Sequence, residues 1–176
     1  MKKLILPVLG LAMALSLQSC IDNWKAKYYN EKTLVDDGGV TLIKNGLEGG
    51  LTEIAASQLA VKNSTNPAVV SYAKTIIADH TKADSTLKLI EADKLLTEKD
   101  TISGEHQELI DSLGKKTGAE FDKAYLEMMV KDHEEAVELF TDASDDKNQT
   151  IKTFAADNLP MLQMHLDKAK ELAGAK

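Results

Sequence analysis

Tyr72–Leu87 reads YAKTIIADHTKADSTL, and Tyr125–Phe140 reads YLEMMVKDHEEAVELF. Laid on one another, Tyr72 meets Tyr125, Asp79 meets Asp132, His80 meets His133 and Ala83 meets Ala136. Ile76 pairs with Met129, Ile77 with Val130, and Leu87 with Phe140. Apolar residues recur in both copies at steps of three and four, the period of an amphipathic helix. Each copy therefore predicts a helix with a histidine on its buried face.

Helices extend outward from this pair. Asn66 and Pro67 open the first copy as an N-cap and a first-turn proline. Its seam is Val69, Ala73, Ile76, His80, Ala83, Leu87 and Ile90. A preceding helix, from about Val40 to Lys62, carries the apolar stripe Ile43, Leu47, Leu51, Ile54 and Val61. A second stripe of small residues (Gly46, Gly50, Ser57, Ala60) includes Glu53. Glycines in a helix cost about 1 kcal/mol each against alanine, and the usual return is close approach of a neighbouring helix. A carboxylate on that face must reach water or find a partner.

A polar link, Thr97–Gly104, and a short helix from Glu105 to about Lys116 come next. The short helix turns Leu109, Ile110 and Leu113 inward, closes at Gly118 and leaves His106 solvated. The second copy follows with Leu126, Met129, His133, Ala136, Val137 and Phe140 inward. The last helix, about Thr150–Leu172, buries Ile151, Ala155, Asn158, Leu162, His165, Ala169 and Leu172, and Pro160 inside it predicts a bend. Four long amphipathic helices give an all-α four-helix bundle with a short extra helix. Low aromatic content (5%) and 3 prolines agree with a helical chain.

The N-terminus reads as an address. Lys2 and Lys3 precede 14 apolar residues, Leu4–Leu17, too few to span a bilayer and suited to a signal peptide. Leu17-Gln18-Ser19-Cys20 resembles a bacterial lipobox, and Cys20 is the sole cysteine. The expected organisation is a lipoprotein signal peptide over residues 1–19, a lipidated Cys20 with a tether over 20–39, and the bundle over 40–176. The membrane is then a partner through the N-terminal lipid, with the outer membrane favoured over the inner. A formal net charge of −7 argues against nucleic acid as a partner. A single cysteine excludes an internal disulfide.

An ordered set of phrases carries a resemblance. Gly50-Leu51-Thr52-Glu53-Ile54 with Gln58-Leu59-Ala60 comes first, then Asn66-Pro67 with Tyr72-Ala73, then Asp79-His80-Thr81. Phe121-Asp122-Lys123-Ala124-Tyr125, Asp132-His133, Leu159-Pro160 and His165-Leu166 follow. Over about Val40–Leu172 the chain resembles a bacterial family of unknown function, often labelled putative outer-membrane proteins. The resemblance implies a ferritin-like, up-down four-helix bundle and supplies no agreed site residues.

His80, His133 and His165 fall on the inward stripes of three helices, with Glu53 on the fourth. Such a set suits one divalent ion of zinc, copper or iron. Asp79 and Asp132, each beside a histidine but turned about 100° from it, suit the orientation of a ligand rather than direct binding. Seam histidines also serve to lock helix register, and methionines near the site (Met128, Met129, Met161, Met164) fill cores more often than they bind copper. Di-iron carboxylate bundles require Glu-x-x-His on two helices; Ile77, Val130 and Leu162 stand three residues before the histidines, so that chemistry is excluded. No nucleophile motif or phosphate loop is present. Two readings stay open: a lipid-anchored, non-catalytic envelope protein with a protein partner or a structural or stress role, and a metal-binding protein with a mononuclear site.

Overall fold

A computed structural model describes residues 35–94, 96 and 101–174, and five helices lie among these described residues. They are α1 (Asp37–Asn63), α2 (Pro67–Asp93), the short α3 (Gly104–Leu113), α4 (Gly118–Ala143) and α5 (Gln149–Ala173). No strand occurs among the described residues, and no described helix is long and apolar enough to cross a membrane. The signal peptide, Cys20 and the tether as far as residue 34 lie outside the described residues, as do 97–100 of the polar link.

Local chemistry sets the helix starts. The Asn66 side chain accepts from Ala68 N at 3.0 Å, with Pro67 in the first turn. Ser103 caps α3 through His106 N, and Asn148 caps α5 through Thr150 N. α1 begins three residues before Val40, inside the expected tether, because the Asp36 carboxylate accepts from Gly39 N at 3.1 Å. Gly118 does not close the short helix. It is the first residue of α4, at φ 57, a left-handed conformation that glycine adopts without strain. α5 continues unbroken through Pro160, which is exposed.

α1 and α2 form one hairpin and α4 and α5 another, with α1 packed on α4 and α2 on α5. Asn63, at the end of α1, donates to Lys116 O just before α4. At the opposite end, Gly39 of α1 lies against Ile151 at the start of α5. Hence α4 runs parallel to α2, and α5 parallel to α1. The up-down order holds within each hairpin; between them the chain crosses the length of the bundle, carrying α3.

The two sequence copies thus become parallel helices on one diagonal. Tyr72 and Tyr125 lie eight residues before their histidines, about 12 Å along each axis, and meet edge to face at 6.2 Å between centroids. They belong to one apolar cluster with Ile76, Phe121, Met129 and Ala169. A second cluster gathers Leu42, Leu47, Leu87, Phe140, Ile151 and Leu162. Between the clusters lies a polar layer of Glu53, His80, His133 and His165, all buried.

On α1 the expected apolar stripe is buried at Ile43 and Leu47, and beyond them the small-residue stripe becomes the buried face. Leu51 and Ile54 are only half-buried and Val61 is exposed, whereas Gly50, Glu53, Ser57 and Ala60 are inside. A Cβ on Gly50 would overlap Asp84 Oδ1, and one on Gly46 would lie 2.9 Å from Leu87 Cδ2. Glycine at these positions lets α2 approach. On α3, Leu113 is buried, Ile110 half-buried and Leu109 exposed, so only part of its expected inward face is inside.

Candidate metal centre

Each long helix contributes one side chain to the polar layer. Glu53 comes from α1, His80 from α2, His133 from α4 and His165 from α5. The three imidazoles form a nearly equilateral triangle, with ring centroids 5.5 Å apart for His80–His133 and 5.4 Å for the other two pairs.

One nitrogen of each ring is bound from behind. His80 Nδ1 donates to Glu53 Oε2 at 3.0 Å, and His133 Nδ1 faces Glu53 Oε1 at 3.2 Å and Met129 O at 2.9 Å. His165 Nε2 donates to Asp79 Oδ2 at 3.0 Å. Carboxylates and carbonyls only accept, so these contacts put the ring proton on the outer nitrogen. The other nitrogens, His80 Nε2, His133 Nε2 and His165 Nδ1, are buried and have no hydrogen-bond partner among the described residues. In the neutral rings all three offer a lone pair.

One ring nitrogen of each histidine lies within 4.8 Å of the others. Three points so spaced share a centre at most about 2.8 Å from each (4.8/√3). Zinc binds imidazole nitrogen at about 2.0–2.1 Å, so each ring has at most roughly 0.7 Å to close. Glu53 is not among the converging donors; both its oxygens face Nδ1 atoms.

Electrostatics follow from burial against pairing. Burial pushes the Glu53 carboxyl up, but His133 and His80 outweigh it and hold it at about 2. Burial pushes His80 down, but the Glu53 carboxylate beside it raises it. His133 is lowered by burial in spite of the same carboxylate, and His165 is pushed down to about 4 by burial and by the two other rings. The pairing thus favours the charged forms of Glu53 and His80, and burial favours the neutral forms of His133 and His165.

Asp79 reaches His165 across the bundle rather than the ring beside it in sequence. Asp132 touches no histidine of the triad. It is pushed up to about 7 by burial and by Glu53, and its Oδ2 is buried without a hydrogen-bond partner among the described residues. His106, expected in solvent, is half-buried, with Nδ1 2.7 Å from Glu48 Oε1, which also accepts from Ser103 N. Of the methionines, Met128 and Met129 fill the core and Met164 is exposed. Sequence reasoning missed the Ser57–Tyr125 hydrogen bond (2.8 Å) and Tyr72 donating to His165 O (3.2 Å). The matched tyrosines of the repeat were the signal available for both.

Fold and site together define a four-helix bundle whose centre is a buried histidine triad with carboxylates behind it. The chain belongs to the family described as "Domain of unknown function (DUF4142)", whose model matches residues 30–172. It is similar to a solved structure titled "Crystal structure of DUF305 fragment from Deinococcus radiodurans". The identity is 13%, the TM-score 0.71, and the match covers 80% of this chain and 98% of that one. That likeness concerns the fold. No curated protein matches the chain.

Proposed function

We propose that this protein binds one divalent first-row transition ion, zinc or copper, through His80 Nε2, His133 Nε2 and His165 Nδ1. The observation that carries this reading is the set of three buried, unpartnered ring nitrogens whose tautomers are fixed from behind. A histidine kept only to lock register would spend both nitrogens on protein partners, because an orphaned buried polar atom is costly. Outer carboxylates on ligand histidines orient the rings and raise their basicity. Glu53 and Asp79 also supply two negative charges that balance a dication. Neutral imidazole suits zinc, copper, iron and nickel, and the absence of Glu-x-x-His stands against a di-iron centre.

The same reading places the bundle in a ferritin-like architecture, supported by its single long crossover. It tethers the protein to the bacterial outer membrane through a lipidated Cys20, supported by Leu17-Gln18-Ser19-Cys20. The role is then to hold or hand over a metal in the cell envelope, without catalysis.

The test is metal analysis of untagged protein purified from cells, followed by titration with Zn(II) and Cu(II). About one ion per chain is expected, lost in His80→Ala and His133→Ala variants whose helical circular dichroism is retained. Sub-stoichiometric metal, equal in wild type and variants, sinks the reading. For the anchor, Cys20→Ala should release the protein from membranes, and continued membrane attachment would refute lipidation.

A further inference from the structure

We propose that an acidic cavity beside the triad is the path by which the cation enters and leaves, with Glu48, Asp132 and Asp84 handing it to His80. The proposal rests on the metal reading above. The cavity is about 320 Å³ and is lined from α1 by Glu48 and Glu53, from α2 by His80 and Asp84, and from α4 by Asp132. Its outer end is marked by the half-buried Glu48. Its inner end is marked by His80, 5% exposed, whose unpartnered Nε2 is one of the three proposed donors. The acids are therefore tied to a ligand atom rather than standing as a bare cluster.

A second, larger groove between α2 and α5, about 770 Å³, is lined by Asp79 but by none of the three histidines. On that side the Asp79–His165 hydrogen bond closes the layer. Of these two cavities, only the smaller is lined by a proposed ligand residue, His80. Its apolar walls, Leu87 and Phe140, lower the local dielectric and strengthen the pull of the carboxylates on a cation. Glu48 already accepts from Ser103 N and pairs with His106. Its fit is to a passing ion, which can be released inward, rather than to a resident one.

Two variants of the full chain separate charge from space. Measured at pH 8, Asp84→Asn with Asp132→Asn removes two charges. Gly49→Leu fills the path without changing charge: Gly49 lines the cavity, and a Cβ there meets nothing within 4 Å. Leucine is also the better helix former, which favours retention of the fold. The measurement is stopped-flow uptake of Co(II), followed by its visible absorption, and removal by a chelator. The double asparagine variant is expected to take up Co(II) about tenfold more slowly at low salt and to lose most of the salt dependence seen in wild type. Gly49→Leu is expected to slow uptake and removal by the same factor, leaving affinity unchanged. Uptake at wild-type rates in both variants overturns the route and leaves the metal site standing. No Co(II) uptake by the wild type overturns the metal reading and the route with it.

Discussion

Asp79 is the sequence neighbour of His80, yet its carboxylate accepts from His165 Nε2 at 3.0 Å, 86 residues away in the chain. Adjacent positions on a helix point about 100° apart, so His80 faces into the layer while Asp79 reaches sideways to α5. It fixes the His165 tautomer that leaves Nδ1 open. Asp79→Ala is expected to lower metal affinity 10–100-fold, the usual effect of losing an outer-shell carboxylate. Because Asp79 is partly exposed, the fold should survive the change. Competition with a chromophoric chelator measures it, and unchanged affinity would contradict the assigned role.

Glu53 serves two rings at once, and its removal leaves two buried N–H groups without their carboxylate. Glu53→Ala is expected to destabilise the metal-free protein by about 3–5 kcal/mol, the usual cost of breaking a buried pair from one side. For a domain of this size that is a fall in Tm of roughly 10 °C or more. A thermal melt in chelator reads it directly, and a loss below about 1 kcal/mol would mean the pairing is not what holds Glu53 inside.

Replacing the whole layer should give the opposite result. Glu53, His80, His133 and His165 changed together to apolar residues of similar volume would join the two apolar clusters into one. Such replacements are often neutral or stabilising by 1–4 kcal/mol. The expected bundle melts at or above the wild-type metal-free temperature and binds no metal. Strong destabilisation of a well-packed quadruple variant would instead favour a purely structural layer.

The helices and the inward direction of all three histidines were legible because periodicity and caps are local signals. The partners were not. Nothing in DH at positions 79 and 80 tells which distant ring the aspartate meets, since that depends on the α2–α5 packing. The α1 stripe held at Ile43 and Leu47 and misled only beyond them, for a related reason. Leu51, Ile54 and Val61 are the larger apolar residues, but the bundle buries Gly50, Ser57 and Ala60, where two backbones come close. His106 was read as solvated because Glu48, its partner, sits on another helix.

Neighbouring glycines on α1 provide a test of that packing. Gly50→Ala is expected to destabilise, despite alanine's gain of about 1 kcal/mol in helix propensity, because its Cβ would displace the Asp84 carboxylate. Gly49→Ala meets open space and is expected to stabilise by up to about 1 kcal/mol. Opposite signs in chemical denaturation confirm the close α1–α2 contact; equal signs contradict it.

Proton linkage separates the metal-free and metal-bound states. Glu53 raises His80 above 6.5, so at pH 6.5 the metal-free ring is more than half protonated, and a metal must displace that proton. Zinc binding at pH 6.5 is therefore expected to release protons, seen by calorimetry in buffers of different ionisation enthalpy. In the metal-free protein, His80 contributes stability that is full below 6.5 and lost as pH rises through its raised value. His133 and His165 act the other way: below 6.5 the unfolded chain takes up protons that the fold refuses, down to about 4 for His165. Glu53, at about 2 in the fold against 4.5, extends that acid loss between 4.5 and 2. Asp132, raised from 3.8 to about 7, opposes it in between, one group against two. With zinc bound the fold holds no proton on His80, so the loss of stability that His80 brings to the metal-free protein above pH 6.5 should be absent. Superimposable pH profiles with and without zinc, together with no proton release, would exclude His80 as a ligand.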